Sequence, residues 1–162
     1  MNSFLGPYAV SGAPSAGTDE VQSVTRDATV DGGTFRLGFR GAPTSALAWD
    51  ISAANLQVAL RAVNQVGGPY LTVTGDGSVA TPWVVTFIDA LGKRVQPLLT
   101  VVANACTAED EPVEEAITVA ETTPGVTATL IGIPKGALVI NTSDGTLYQM
   151  TGTPAAPAFT AR

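Results

Sequence analysis

The side chains that most often perform catalysis are scarce in this 162-residue chain. There is no histidine, which excludes an imidazole base and a Ser-His-Asp triad. Cys106 is the only cysteine, so a CxxC motif, a thiolate zinc site and an intrachain disulfide are excluded as well. Asp76 and Asp89 stand alone, and no spacing pairs them as a general acid and base. The sequence therefore predicts a protein that is not an enzyme and uses no cofactor.

Two loops carry the remaining patterns with chemical potential. Gly75-Asp76-Gly77 places two glycines around a turn, but it lacks both the GxGxxG and the P-loop spacing. The run Thr107–Glu115, TAEDEPVEE, has five acidic residues around a proline. Such a run is typical of a solvated loop, and a calcium site is the alternative. The alternating carboxylates and central glycine of an EF-hand loop are missing, so no metal ligand is assigned.

Charge narrows the choice of partners. The net charge is −6 and the isoelectric point is near 4.4, which argues against a nucleic-acid partner bound through its phosphates. No apolar run reaches the length of a transmembrane helix, and residues 1–16 lack the pattern of a signal peptide, so no membrane partner is expected. Arg26, Arg36 and Arg40 fall on predicted strands, where they are either solvated or face an acidic partner surface.

Aromatic side chains offer one further kind of site. Trp49, Tyr70 and Trp83 could form a platform on which a sugar stacks. Large aromatic side chains also dominate the packing of protein cores, and we expect core packing for these three.

The patterned part of the chain begins with two predicted strands. Glu20–Thr29 is followed by the turn signal Asp31-Gly32-Gly33, and Thr34–Arg40 then alternates between apolar and other residues. The residues on the apolar face of the second strand are Phe35, Leu37 and Phe39. This pattern predicts a half-buried strand that forms a hairpin with the first.

One helix is predicted at about residues 52–66. Ser52 is a suitable N-cap, and Gly67-Gly68 followed by Pro69 ends the helix. The apolar residues at helical spacing are Leu56, Ala59, Leu60, Val63 and Val66. The narrow stripe favours packing on a sheet, with binding to a partner as the alternative.

Further strands follow the helix. They are predicted at Tyr70–Thr74, Trp83–Ile88, Leu98–Ala103 and Glu114–Glu121, with a short strand at Ala46–Trp49 before the helix. The order predicts a β-rich α+β fold, a mainly antiparallel sheet with one packed helix.

The two ends differ from this body of residues 20–121. Residues 1–19 have no periodicity and are expected to form an extended arm, which is either frayed or docks through Phe4, Leu5 and Tyr8. Residues 122–162 are expected to form a small C-terminal β module. Its hairpin pairs Leu138–Asn141 with Thr146–Thr151 around an Asp-Gly turn. A hairpin of this size is marginal alone, so it must pack on the main domain or on copies of itself.

The C-terminal segment resembles short β modules of tailed-bacteriophage head fibres and tail fibres. The shared phrase is P-x-G, then N-T-x-x-G-x-L-Y, then a glycine and a final aromatic residue. Its positions here are Pro134, Gly136, Asn141, Thr142, Gly145, Leu147, Tyr148, Gly152 and Phe159.

The central segment is similar to a domain that recurs in virion proteins of phages infecting actinobacteria. The similarity lies in the runs GGTFRLGFRG, ISAANLQVAL, LTVTGDG and WVVTF. Together the two resemblances cover the chain roughly from Glu20 onward, and neither brings catalytic residues with it.

The resemblance implies a virion structural protein on the exterior of a tailed-phage capsid, a decoration protein or short head fibre that cements capsomers. It implies the major capsid protein as partner, a homotrimer, and contact with host-surface glycan as a further role. A minor tail or baseplate protein that binds glycan is the alternative. The expected contacts to the capsid or to a neighbouring copy are Phe4, Leu5, Tyr8, Arg36 and Arg40. The residues expected to mediate oligomerisation are Leu138, Ile140, Leu147, Tyr148 and Phe159.

Overall fold

The computed structural model of the protein describes residues 8–10, 15–128, 135–152 and 158–162, with the backbone alone for 8–10. The chain divides into two compact units. The larger unit is Asp19–Gly125, and the smaller unit joins the segment up to Thr18 with the segment from Val126 to Arg162. The smaller unit therefore combines two segments that the sequence analysis treated as separate parts.

The described elements are mostly short strands. In chain order they are β1 (Tyr8–Val10), β2 (Val21–Arg26), β3 (Gly32–Phe39), β4 (Ala42–Pro43), β5 (Leu47–Ala48), α1 (Ala53–Arg61), β6 (Leu71–Thr74), β7 (Trp83–Phe87), a 3₁₀ turn (Asp89–Leu91), β8 (Thr100–Ala108), β9 (Glu111–Pro112), β10 (Ile117–Thr123), β11 (Leu138–Asn141), β12 (Leu147–Met150) and β13 (Phe159–Ala161). This confirms the predicted β-rich α+β class with one packed helix.

The larger unit contains two antiparallel sheets. One has the strand order β10-β2-β7-β6, and the other has the order β4-β3-β8-β9, with β5 also paired to β3. Their inner faces meet through aromatic pairs, because Phe35 stacks on Trp83 at 5.8 Å and Phe39 stacks on Phe87 at 5.4 Å between ring centroids. The residues predicted on the apolar face of β3 are all buried in this core.

The predicted hairpin between the first two strands of the body is wrong. β2 pairs with β10 and β7, whereas β3 pairs with β8, so the two consecutive strands lie in different sheets. The connecting loop crosses between the sheets, since Asp27 N donates to Ala116 O and Asp31 N donates to Thr107 O. Alternation of apolar residues requires one buried face on each strand, and two sheets stacked face to face satisfy it as well as a hairpin does.

Helix α1 is shorter than predicted. Its N-cap is Ser52, whose Oγ accepts from Asn55 N at 3.3 Å, but the helix ends at Arg61. Beyond that point the chain tightens into turns, because Val63 N donates to Leu60 O and Val66 N donates to Val63 O. Both valines remain buried, so the predicted apolar stripe reaches the core although its last turns are not α-helical.

Two side chains of α1 close the outer edge of β6. Val73 N donates to Gln57 Oε1 at 3.0 Å. Leu71 O accepts from Nε and Nη2 of Arg61 at 3.0 and 2.7 Å. The helix thus satisfies backbone groups that an edge strand otherwise presents to solvent.

The smaller unit contains a four-stranded sheet of order β1-β11-β12-β13. β1 pairs in parallel with β11, and the other neighbours are antiparallel. Val139 and Met150 are its fully buried side chains, with Tyr148 and Phe159 packed against them. The turn between β11 and β12 is fixed by Asn141, whose Oδ1 accepts from Ser143 N at 3.0 Å.

Candidate interaction surface

The three arginines predicted on strands have different environments. Arg26 is half-buried, lies 4.7 Å from the centroid of the Trp49 ring, and donates from Nη1 to Trp49 O at 3.1 Å. Arg40 lies 5.0 Å from the ring of Phe39 and donates from Nη2 to Oε1 of Gln96 at 2.9 Å. Arg36 is exposed on the outer face of β3. Arg26 therefore serves the fold, whereas Arg36 and Arg40 are both exposed, and Arg40 in addition holds Gln96.

A buried polar network holds the segment before β8 against β2. The carboxylate of Glu20 accepts from Nε2 of Gln22 at 2.5 Å and from the backbone N of Gln96. Oε1 of Gln22 accepts from Leu99 N at 2.8 Å, and Nε2 of Gln96 donates to Leu91 O at 2.6 Å. Glu20, Gln22 and Gln96 are all fully buried. Such a satisfied network rigidifies what it contacts.

The segment held by this network and the start of β8 carry four exposed apolar side chains that are close together in sequence. Val95, Leu98, Val101 and Val102, called here the β8 strip, are 69, 45, 37 and 53% exposed. They are four of the eight large hydrophobic residues exposed within the described residues. Scattered apolar side chains are normal on a surface, whereas a concentration of them marks an interaction site. The β8 strip is therefore the best candidate for a docking surface.

The sequence analysis missed this surface. It placed a strand at Leu98–Ala103 and the structure places β8 at Thr100–Ala108, with six successive exposed residues from its start. The available signal was the stretch LLTVVANA, which has neither a charge nor an alternation of apolar and polar residues.

The aromatic residues do not form an exposed platform. Trp83 is fully buried, which agrees with the expected core packing, and Trp49 is half-buried beneath Arg26. Tyr70 is half-buried, and its ring lies 2.9 Å from the position that a Cβ on Gly68 would take.

The acidic residues shape turns. Oδ1 of Asp76 accepts from Ser78 N at 2.9 Å and from Thr81 Oγ1 at 2.7 Å, and these bonds lower the pKa of its carboxyl to about 2. Hydrogen bonds from Thr146 likewise lower the pKa of Asp144. In the acidic run, Glu109 and Asp110 form the tight turn of the β8–β9 hairpin, both with positive φ.

The positions of the acidic side chains and of the cysteine bear on metal binding and thiol chemistry. Among them, no group of three histidine, cysteine, aspartate or glutamate side chains has an arrangement that could hold a metal ion. Cys106 lies in β8 with its side chain buried, and burial raises the pKa of its thiol. No helix in the described ranges has the length and apolarity needed to cross a membrane.

The residues predicted to mediate oligomerisation lie on two faces of the smaller sheet. Tyr148 and Phe159 pack on Val139 and Met150 within the unit. By the strand register, Leu138, Ile140 and Leu147 share the opposite face, and Leu138 is 42% exposed. Of the predicted arm contacts, Phe4 and Leu5 lie outside the described residues, and Tyr8 is described only by its backbone in β1.

Comparisons with known proteins find similarity at the level of structure. No protein-family model and no curated protein matches the chain. A solved structure from Mycobacterium phage Patience is similar over 90% of this chain, with 20% sequence identity and a TM-score of 0.44. The chain spans 55% of the length of that neighbour.

Proposed function

We propose that the protein is a virion structural protein that decorates the outer surface of a tailed-phage capsid, with the major capsid protein as its partner. The proposal rests on the positions that the phage-like sequence runs occupy in the fold. The runs GGTFRLGFRG, ISAANLQVAL, LTVTGDG and WVVTF coincide with β3, α1, β6 and β7. Their apolar residues form the core of the larger unit. The residues that carry the resemblance thus belong to one packed unit, the larger unit, and contribute to its core.

The surface of the larger unit supports a role in protein assembly. The β8 strip is apolar and exposed, and Arg36 on the neighbouring strand is exposed beside it, in register with Ala103 of β8. An apolar patch with a charged rim is the usual composition of a protein–protein interface. Cementing would follow, because added interface area between capsomers raises the free energy needed to separate them.

The homotrimer and the contact with a host glycan are further proposals that come from the sequence resemblance. The homotrimer would use the smaller unit, where Leu138, Ile140 and Leu147 lie on the sheet face opposite its core. Contact with a host glycan would be an added role of the displayed protein.

Co-sedimentation with capsids tests the proposal. Capsids that lack the protein are mixed with the purified chain, pelleted, and assayed for bound protein and for resistance to heat. We expect saturable binding and a higher temperature of capsid disruption. Arg36→Glu should weaken binding more than Lys135→Glu, which reverses the same charge at an exposed site of the smaller unit. Absence of binding by the unmodified chain contradicts the proposal.

A further inference from the structure

We propose that β8 is a self-association edge, at which two copies of this chain pair their β8 strands in antiparallel orientation. The inference concerns the chain in solution and does not need the capsid function to hold, although a paired edge would compete with a capsid contact for Val101 and Val102. It rests on the open edge of β8, on its exposed apolar residues and on the charges at its two ends.

The second side of β8 is open at the start of the strand. On one side, β8 pairs with β3 from Thr100 to Thr107, with a register shift at Val102. On the other side, β9 pairs with Thr107 and Ala108, and Val113 N donates to Cys106 O at 3.1 Å. The side chain of Asn104 also donates to Val113 O and Glu114 O there. Within the described ranges of the chain, no strand pairs with Thr100–Asn104 on that side. In the other sheet, side chains of α1 bond to the outer backbone groups of β6. The outer edge of β6 is therefore covered, whereas the start of β8 is not.

The backbone of this edge is oriented for pairing. Leu37 N donates to Thr44 Oγ1 at 3.2 Å, and Thr44 N donates to Leu37 O at 2.8 Å. The backbone groups of Leu37 therefore face away from β8, which makes its partner Val101 part of a non-hydrogen-bonded pair. It follows that the N–H and C=O of Val101 point away from β3 and toward an incoming strand.

The edge has one of the usual guards, an irregularity at Val102, where the register with β3 shifts between Arg36↔Ala103 and Leu37↔Val101. Natural edge strands are protected by bulges, charged residues, proline or a covering element, and this edge lacks the charge and the proline. Between Pro97 and Glu109 the chain has neither a charge nor a proline, and Val102 at its centre is 53% exposed. An edge of this composition is a template for another strand.

Charge selects a second copy as the occupant. Residues 92–108 carry two positive charges, Lys93 and Arg94, and no negative charge. Residues 109–115 carry five negative charges and no positive charge. Antiparallel pairing of β8 with itself brings the basic end of each copy toward the acidic hairpin of the other, twice by symmetry. Parallel pairing would place like charges together.

Sedimentation velocity over a wide concentration range provides the first test. We expect a reversible monomer–dimer equilibrium. Val102→Lys should raise the dimer dissociation constant about tenfold or more, since it places a like charge on the paired edge of each copy. Val79→Lys is the matched control, because Val79 is similarly exposed at 65% in the turn before β7, and it should leave the equilibrium unchanged. A chain that stays monomeric at every concentration, or equal association of both variants, overturns the proposal.

A charge exchange between chains tests the orientation. Arg94→Glu and Glu111→Arg should each weaken self-association, because each places like charges at both ends of the pair. A mixture of the two variants should associate more tightly than either alone, because opposite charges then meet at both ends. The amide of Val101 should gain protection from hydrogen exchange as the dimer forms. A mixture no tighter than the single variants, an unprotected Val101, or occupation of the edge only by another protein overturns the proposal.

Discussion

Gly77 lets the turn before β7 close over the indole ring of Trp83. It has a φ of +83°, and a Cβ at this position would lie 2.5 Å from three atoms of the ring. Its carbonyl accepts from Arg26 N at 2.7 Å. Trp83 is the largest side chain in the core, so one glycine links a surface turn to the centre of the unit.

Gly77→Ala is expected to destabilise the larger unit far more than Gly41→Ala. Gly41 has nearly the same φ, +80°, with nothing within 4 Å of the added Cβ. Backbone strain alone therefore costs about 1 to 2 kcal/mol at Gly41, and overpacking against Trp83 adds about 1 to 3 kcal/mol at Gly77. Urea unfolding of both variants measures the difference, and equal losses would show that the ring contact contributes nothing.

The carboxyl of Asp76 provides a prediction about pH. Its pKa is lowered from 3.8 to about 2 by the hydrogen bonds from Ser78 and Thr81. A carboxyl with a lowered folded pKa contributes stability that is complete above pH 3.8 and is lost as the pH falls through about 2. NMR titration should give a pKa near 2 in the folded protein and a higher value in Thr81→Ala. An unchanged pKa in that variant would contradict the role of the threonine hydroxyl.

At the scale of elements, the fold closes one sheet edge and leaves another open. Gln57 and Arg61 of α1 bond to the outer backbone groups of β6. Within the described residues, no helix covers the outer backbone groups at the start of β8. We therefore expect the β6 edge to be closed to other chains and the β8 edge to be available for association.

Gln57→Ala is expected to destabilise the larger unit by about 1 kcal/mol, because Val73 N–H loses its acceptor. Val58→Ala is the control on the next residue of the helix, where the side chain is 66% exposed. That substitution should leave stability unchanged or raise it slightly, since alanine favours helix. Thermal unfolding measures both. If Val58→Ala lost as much stability as Gln57→Ala, the effect would come from the helix itself and not from the hydrogen bond to the edge of β6.

The elements also show what a sequence can predict. Alternation in Phe35, Leu37 and Phe39 predicted their burial correctly, because the period of a strand decides which face is apolar. It could not predict which strands pair, since pairing depends on contacts distant in sequence. The buried network of Glu20, Gln22 and Gln96 was unpredictable for a related reason, because an isolated polar residue carries no local sign that a partner some 75 positions away satisfies it.

At the scale of the whole molecule, the two ends of the chain belong to one unit. β1 pairs with β11 through the registers Tyr8↔Val139 and Val10↔Asn141. Thr18 and Val126 form a further bridge. The segment predicted as an arm thus contributes a strand to a sheet with a small core, in which Val139 and Met150 are the fully buried residues.

Deletion of residues 1–10 is expected to destabilise the smaller unit while leaving the larger unit folded. The deletion removes the parallel partner of β11, and a sheet with so small a core depends on each strand. Hydrogen exchange should accelerate in Leu138–Asn141 and stay unchanged in Trp83–Phe87. Equal acceleration in both strands would contradict the division into two units.

The most direct test of the proposed capsid function is the copy number of this protein in purified phage particles. Quantitative mass spectrometry against the major capsid protein gives that number. Decoration of the capsid predicts hundreds of copies per particle, in a fixed ratio to the major capsid protein. A few copies per particle would place the protein at the tail or at a vertex, and its absence from the particle would contradict a virion role.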